Sequence, residues 1–282
     1  MALVLRIDDD LGRTLIFPRA PRRIVSLVPS DTYSVVALGA GDRIVGRTSY
    51  CEHASTATVV GGTKDVDVDA VLALEPDFVI ANQEENARKP LEAIAARGVK
   101  VLVSLPRRVE QGIGHLARLA RILEVGDTGK ALVKRGYELM ALPPVAARER
   151  AFVPIWMDPL MTLNGDTFGS DVLARIGIGN AFGDRLRLYP LAADLGKGPE
   201  AEATGRDVRY PRLTLEELTK RDPDVVVLPD EPHAFSADDE AMLHAAVPRA
   251  RIARVSGKDL FWYGAWTVES LDRLAEQLKP AN

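Results

Sequence analysis

Hydrophobic and polar residues along this chain fall into two kinds of stretch, short apolar runs and longer segments with helical composition. The apolar runs are 24–28, 44–48, 98–103, 152–156 and 251–255. Such runs, rich in β-branched residues, are typical of buried parallel strands. Helical segments such as 88–97 and 238–246 lie between them. Alternating strands and helices predict an α/β fold with mainly parallel sheets and right-handed crossovers.

The most informative pattern is an internal repeat. Residues 68–79 and 215–226 each combine an amphipathic helix with a Pro-Asp dipeptide and the start of an apolar run. Proline cannot continue the helix, and the apolar residues after it suit a buried strand. Two distant copies of one helix–turn–strand unit predict two similar α/β lobes.

The segment 109–142 between the two halves is helical in character, with an interruption at Gly126-Asp127. Asp127 or Thr128 is the expected N-cap of a helix that ends before Pro143. A helix of this length would join two lobes rigidly. The predicted domains are an N-terminal α/β lobe at 1–108, a bridging helical segment at 109–145 and a C-terminal α/β lobe at 146–282.

Two further segments have helix signals. Residues 169–176 predict the start of a helix, and the glycine-rich 177–180 that follows is predicted to be its C-cap and turn. Residues 267–278 carry the apolar stripe of an amphipathic helix. His115, within the helical middle segment, is interpreted as a helix-surface or packing histidine.

Composition and motifs exclude several classes of function. The 36 basic and 40 acidic residues disfavour a nucleic-acid binder. The single cysteine, Cys51, and four scattered histidines offer no disulfide and no zinc-ligand spacing, so we predict no metal site and no cofactor. We find no nucleophile elbow, phosphate loop or dinucleotide-binding fingerprint, and therefore predict no catalytic residue and no enzyme.

The N-terminal residues lack a basic region followed by a long apolar run, and no run approaches the about 20 residues of a membrane span. Two expectations remain open. Either an export leader has been removed or replaced, or the protein works in the cytoplasm.

Several segments resemble the helical-backbone (class III) periplasmic solute-binding proteins of ABC importers, and among them the receptors for vitamin B12, iron siderophores and heme. The segments that carry the resemblance are 10–18, 21–30, 38–42, 72–79, 98–102 and the second Pro-Asp repeat. The resemblance implies two lobes joined by a long α-helix and a cleft between them that holds a cobalamin or iron chelate. It also implies a monomer that docks on an ABC permease.

Ligand contacts are expected beyond the carboxyl ends of the strands. By resemblance, Tyr50 lies where B12-binding proteins have a ligand-contacting tyrosine, and Tyr210 lies near a ligand-contacting tryptophan. The alternative for Tyr50 and Trp262 is half-buried packing. Four cations, Lys64, Arg107, Arg108 and Arg212, suit an anionic chelate or a solvated surface. The predicted ligand-binding residues are Ser30, Tyr50, Thr63, Lys64, Met161, Tyr210, Trp262, Tyr263 and Trp266.

Asp69 and Glu216 occupy matching positions in the repeated helix, and the resemblance implies that they pair with arginines of the permease. The alternative is that acidic residues favour any first helical turn. The loop 61–65 lacks the aromatic residue that B12 and heme receptors often carry there, which disfavours heme ligation by that route. Residues 263–266 read Tyr-Gly-Ala-Trp where relatives often have Tyr-Gly-Pro-Arg, and this favours an apolar or aromatic ligand face.

The sequence therefore predicts the solute-binding component of an ABC importer that captures a cobalamin or iron chelate. The alternative is a cytoplasmic corrinoid or chelate sensor or accessory protein of the same fold. A receptor for free zinc or manganese would need several converging ligands that the four histidines do not suggest.

Overall fold

The structure is a computed structural model that describes residues 4–143 and 145–280. The chain divides into two compact units. Unit 1 comprises Met1–Ala141 and Tyr263–Val268, and unit 2 comprises Leu142–Trp262 and Glu269–Asn282. The three-part division with a bridging segment at 109–145 stays a prediction.

Unit 1 contains a five-stranded parallel sheet of order β5-β4-β3-β6-β7 and a separate antiparallel pair, β1-β2. Its elements are β1 (Leu5–Asp8), β2 (Thr14–Phe17), β3 (Ile24–Ser26), α1 (Pro29–Ala37), a 3₁₀ turn (Gly41–Arg43), β4 (Ile44–Arg47), β5 (Thr58–Val59), α2 (Val68–Ala73), β6 (Phe78–Asn82), α3 (Arg88–Ala95), β7 (Lys100–Ser104), α4 (Val109–Ile122) and α5 (Asp127–Met140).

Strand β6 supplies both faces of the core of unit 1. Phe78 and Ile80 pack on one face in a cluster that includes Leu116 from α4. Val79 and Ala81 point to the other face, where Ile94 of α3 covers them. A strand buried on both faces explains why this run is apolar throughout rather than alternating.

Unit 2 contains a four-stranded parallel sheet of order β11-β8-β12-β13 and an antiparallel pair, β9-β10. Its elements are β8 (Glu149–Phe152), β9 (Pro154–Trp156), β10 (Met161–Thr162), α6 (Phe168–Arg175), β11 (Ile178–Asn180), α7 (Leu191–Asp194), α8 (Leu215–Arg221), β12 (Val225–Pro229), α9 (Ala237–Ala246), β13 (Arg251–Val255), α10 (Gly257–Phe261) and α11 (Ala265–Gln277), whose first turn is assigned to unit 1. The prediction of an α/β fold with mainly parallel sheets is confirmed.

The internal repeat forms the same helix–turn–strand unit twice, as α2-β6 and α8-β12. In each copy the residue before the proline adopts a left-handed conformation, with φ of 45° at both Glu75 and Asp222. This conformation ends the helix and turns the chain into the buried strand, while the proline prevents the helix from continuing.

The aspartate after the proline holds the start of the neighbouring strand. In unit 1, the Asp77 carboxylate accepts hydrogen bonds from the backbone N–H groups of Arg22 and Arg23, at 3.0 Å for its closest contact to each. The Arg23 guanidinium in turn donates to the carbonyl of Leu74, at the end of α2. We call this arrangement the Arg–Asp clasp.

Unit 2 repeats the clasp. The Asp224 carboxylate accepts from the backbone N–H of Arg150 at 2.7 Å, and the Arg150 guanidinium donates to the carbonyl of Arg221 at 3.3 Å. Leu74 and Arg221 each lie at the end of the repeated helix, three residues before Asp77 and Asp224 respectively. The two copies of the clasp therefore use corresponding positions of the repeat. The repeat was visible in the sequence, but the arginine partner of each aspartate was not.

Three local predictions were wrong. The N-cap of α5 is Gly126, and Asp127 and Thr128 lie inside the helix. The segment 177–180 is not only a turn, because Ile178–Asn180 pair with β8 as strand β11 after the turn at Gly177. The run 152–156 is divided between β8 and β9, since Pro154 has no N–H for a sheet ladder.

Among residues 4–143 and 145–280, the helices lack the combination of length and apolar composition that a membrane span requires.

Candidate ligand-binding site

The carboxyl ends of the parallel strands of unit 1 share one edge of the sheet, and the structure gathers three predicted ligand residues there. Tyr50 follows β4, and its ring atom Cε2 lies 3.3 Å from where a Cβ on Gly62 would stand. Asn86 ties this edge together, because its amide donates to the carbonyls of Thr63 at 2.9 Å and Leu27 at 3.1 Å. The ammonium of Lys64 donates to the carbonyl of Glu84.

Tyr50 exposes most of its side chain at this edge. Its side chain is 65% exposed, although an aromatic ring gains free energy from burial. The glycines beneath it keep the loop tight, since Gly61 has φ of +100° and a Cβ on Gly62 would stand 2.3 Å from the Asp65 carboxylate. An exposed aromatic face on a tight loop can cover a large planar ligand.

A buried polar cluster lies behind this edge in unit 1. The Asp31 carboxylate contacts His115 Nε2 at 2.9 Å through one oxygen, and its other oxygen accepts from the Tyr263 hydroxyl at 2.9 Å. Asn82 donates to the Tyr263 oxygen at 3.2 Å, and Ser104 lies 3.0 Å from it. We call these five residues the Asp31 cluster.

The Asp31 cluster holds a carboxylate where water has almost no access. Burial, and after it the negative charge of Asp31, raise the pKa of Tyr263 well above its ordinary value, so the hydroxyl stays protonated and donates. Paired donors are what make a buried carboxylate tolerable. His115 is buried, as the packing interpretation expected and the surface interpretation did not.

Three predicted ligand residues lie in or near this cluster. Ser30 is buried in the first turn of α1, directly before Asp31. Tyr263 is only 5% exposed, and Trp266 packs edge-on against Tyr33 at 4.9 Å between ring centroids. Tyr33 also contacts His53 at 4.8 Å. Whether Ser30, Tyr263 and Trp266 touch a ligand stays a prediction.

In unit 2, the segments that contain Met161 and Tyr210 adjoin, since Thr162 donates to the carbonyl of Pro211 at 3.1 Å. Met161 forms an antiparallel bridge with Arg212 and pairs with Trp156 of β9. The Arg209 guanidinium lies 5.5 Å from the centre of the Tyr210 ring. Met161, Tyr210 and Arg212 therefore occupy one region of unit 2.

Trp262 and Trp156 differ in exposure. Trp262 is 8% exposed and lies under the ammonium of Lys258 at 5.0 Å, as expected for a packing residue, and its role as a ligand contact stays a prediction. Trp156 is exposed and packs against His233 at 5.0 Å. Trp156 lies at the carboxyl end of β9 and was not among the predicted ligand contacts.

The two predicted docking carboxylates are both exposed. Asp69 is the second residue of α2, and Glu216 is the second residue of α8. Glu216 pairs with Lys220 at 2.8 Å, and the hydrogen bond from Lys220 lowers the pKa of Glu216. Whether Asp69 and Glu216 contact a permease stays a prediction.

The chain has two α/β units, each with a parallel sheet, and the predicted ligand residues Tyr50, Thr63 and Lys64 lie at the carboxyl edge of the sheet in unit 1. The chain belongs to the periplasmic binding protein family, whose model matches residues 24–247. Proteins of this family bind solutes and are not enzymes, as the sequence predicted.

The chain is similar in sequence to vitamin B12-binding proteins and shares its fold with solved vitamin B12- and heme-binding proteins. The vitamin B12-binding protein of Photorhabdus laumondii subsp. laumondii is 26% identical over 216 residues, which cover 74% of this chain and 71% of the relative. The vitamin B12 binding protein BtuF of Vibrio cholerae has a TM-score of 0.69 at 20% identity, covering 92% of this chain and 96% of that one. The heme binding protein HmuT has a TM-score of 0.71 at 21% identity, covering 99% and 91%.

Proposed function

We propose that this chain is the solute-binding component of an ABC importer and that it captures a cobalamin or an iron chelate, either a siderophore or heme. The exposed ring of Tyr50 at the carboxyl edge of unit 1 carries the proposal. Similarity to vitamin B12-binding proteins and the fold shared with heme-binding proteins support this class of ligand. We also propose that the protein works outside the cytoplasm, as its periplasmic relatives do.

Capture requires binding only, with no covalent chemistry. Tyr50, Thr63 and Lys64 supply an aromatic face and polar groups in unit 1, and Met161 and Tyr210 supply soft and aromatic contacts in unit 2. Ligand pockets typically combine apolar and aromatic walls with a few polar groups that fix orientation. Asp69 and Glu216 are proposed to contact arginines of the permease, which would make docking sensitive to salt.

Tryptophan-fluorescence titration tests the ligand class. The probes are cyanocobalamin, hemin, a ferric hydroxamate and a ferric catecholate, each corrected for its own absorption. We expect saturable quenching by one of them, and binding about tenfold weaker in Tyr50→Ala, since an aromatic contact contributes about 0.5–1.5 kcal/mol beyond its burial. Tyr137→Ala removes another exposed tyrosine of unit 1, in α5, and should leave the affinity unchanged. If no probe binds, the proposed ligand class is wrong.

A further inference from the structure

Two arginines of unit 2 stack on the ring of one tyrosine. The guanidinium carbons of Arg187 and Arg206 lie 4.5 Å and 4.9 Å from the centre of the Tyr189 ring. The Tyr189 hydroxyl donates to the carbonyl of Asp207 at 2.7 Å, which fixes the ring. Stacking on an aromatic face orients a guanidinium without consuming its hydrogen-bond donors.

Arg212 belongs to the same group of charges. Its backbone N–H donates to Asp194 Oδ2 at 2.7 Å, which places the residue next to α7. Burial, and after it the like charge of Arg187, lower the pKa of Arg212, while Asp194 and Tyr189 act in the opposite direction. The Asp194 carboxylate also accepts from the backbone N–H of Leu188 at 2.9 Å, so the segments that carry Arg187 and Arg212 meet at one carboxylate.

The neighbouring carboxylates are held by other arginines. Arg185 contacts Asp194 at 3.1 Å and Glu217 at 2.9 Å. Arg209 binds both oxygens of Asp207, at 2.8 Å and 2.6 Å.

Arg187, Arg206 and Arg212 are left without an ion pair to any carboxylate of residues 4–143 and 145–280. Like charges gathered in this way cost free energy that an anion would recover.

We propose that Arg187 and Arg212 form an anion-binding site for a carboxylate or phosphate group of the captured ligand, with Arg206 adding positive charge beside Tyr189. The location supports this assignment, because Arg212 is the bridge partner of Met161 and lies two residues from Tyr210. Planar guanidinium groups match the oxygens of a carboxylate or phosphate in pairs. The inference rests on the proposed function and adds that the ligand is anionic.

A simple anion tests the site without any assumption about the ligand. Inorganic pyrophosphate is titrated at low ionic strength while the Nε–Hε signals of the arginines are followed by NMR. We expect saturable shifts at Arg187 and Arg212, and an affinity at least about tenfold lower in the double variant Arg187→Gln/Arg212→Gln. The matched control Lys197→Gln/Lys279→Gln removes the same charge from exposed positions of unit 2 and should bind as the wild type does. Equal binding in both double variants, or no saturable binding by the wild type, would overturn the site.

The second arm asks whether the anion belongs to the captured ligand. Cyanocobalamin carries a phosphodiester, hemin carries two carboxylates, and the ferric chelates carry their own anionic groups. For whichever probe binds the wild type, the arginine double variant should weaken binding at least about tenfold and flatten its dependence on salt. Unchanged affinity in that variant would refute the ligand assignment. If no probe binds at all, the proposed function fails, and the pyrophosphate result still decides the anion site.

Discussion

The two copies of the Arg–Asp clasp differ in how many hydrogen bonds hold them. Asp77 in unit 1 accepts from two consecutive backbone N–H groups, whereas Asp224 in unit 2 accepts from one. The guanidinium groups of Arg23 and Arg150 each donate a hydrogen bond to a carbonyl at the C-terminal end of the repeated helix, α2 or α8. The contacts common to both copies join the end of a helix to the start of a neighbouring strand, so the clasp stabilises the fold. The different number of backbone N–H groups bound by Asp77 and Asp224 predicts unequal contributions to stability.

The two units also differ in whether their partly or fully buried charged groups have partners within the protein. In unit 1, the Asp31 carboxylate is satisfied by His115 and Tyr263 within the core. In unit 2, Arg187 and Arg212 have no ion-pair partner among the described residues. Removing one partner of a buried charge pair is strongly destabilising, whereas a charge that lacks an ion-pair partner is available to a ligand. The buried charge of unit 1 therefore has a structural role, and the arginines of unit 2 are the groups proposed to bind an anion.

The largest expected effect comes from breaking the Asp31 cluster. Asp31→Ala should lower the free energy of unfolding by about 3–5 kcal/mol, because Tyr263 and His115 would be left buried without their acceptor. Urea denaturation followed by circular dichroism measures the change. Asp69→Ala, at an exposed position of the same unit, should stay within about 0.5 kcal/mol of the wild type. A loss below about 1 kcal/mol in Asp31→Ala would contradict a structural role.

The two clasps can be compared directly. Asp77→Ala should cost about 2 kcal/mol and Asp224→Ala about 1 kcal/mol, since hydrogen bonds to charged groups are worth about 1.5–3 kcal/mol and solvent access reduces that value. Denaturant midpoints of the two variants provide the measurement. Equal costs, or a larger cost in unit 2, would show that the number of amide contacts does not set the strength of the clasp.

The docking carboxylates offer a functional comparison between the repeats. Asp69→Ala and Glu216→Ala should each weaken association with the permease about fivefold, as expected for exposed charges worth about 1 kcal/mol. Binding to the permease in nanodiscs at two salt concentrations tests this, with Glu92→Ala in α3 as an exposed acidic control. Ligand affinity should not change in any of the three. Unchanged affinity for the permease in both Asp69→Ala and Glu216→Ala would contradict the docking role and leave the alternative that acidic residues favour any first helical turn.

The smallest effect concerns the helices that follow the repeated strands. Helix α9 starts with a capping box of Ser236 and Asp239, while α3 starts at Ala87 without a side-chain cap. Hydrogen bonds from Ser236 lower the pKa of Asp239, so this stabilisation is fully present above the unfolded value of about 4 and is lost as the pH falls through the folded value. Ser236→Ala should cost at most about 1 kcal/mol at neutral pH.

Melting temperatures across pH provide the measurement for this cap. The difference between wild type and Ser236→Ala should shrink in acid, where Asp239 becomes protonated. An equivalent change at the start of α3, Ala87→Gly, should show no such dependence on pH. A difference that stays constant into strong acid would argue against the ionised cap.

Local signals in the sequence were sufficient for most of the fold. The strand 251–255 was predicted with the bounds that the structure has, and the Pro-Asp repeat predicted α2-β6 and α8-β12 in their places. These signals are local because proline, β-branched runs and helical periodicity act through the backbone of the residues that carry them. Membership of a solute-binding family followed from segments of the same kind.

Local signals failed where a neighbour in space outweighed them. Residues 178–180 became a strand because β8 offered a partner, although Gly177 indicated only a turn. Asp127 was a good N-cap by type, yet its side chain is fully exposed and the helix starts without a side-chain cap at Gly126. Propensity is a weak prior that pairing and packing override.

The sequence by itself determined where most strands and helices and both copies of the repeat lie, and which family the chain belongs to. Only the tertiary structure decided which charges are satisfied. Asp31 accepts a hydrogen bond from Tyr263, which lies 232 positions away in the chain. Asp194 forms a salt bridge with Arg185, whereas Arg187 has no ion pair among the described residues. Periodicity reports the environment of a residue and not its partner, because a partner distant in sequence is chosen by the packing of whole elements.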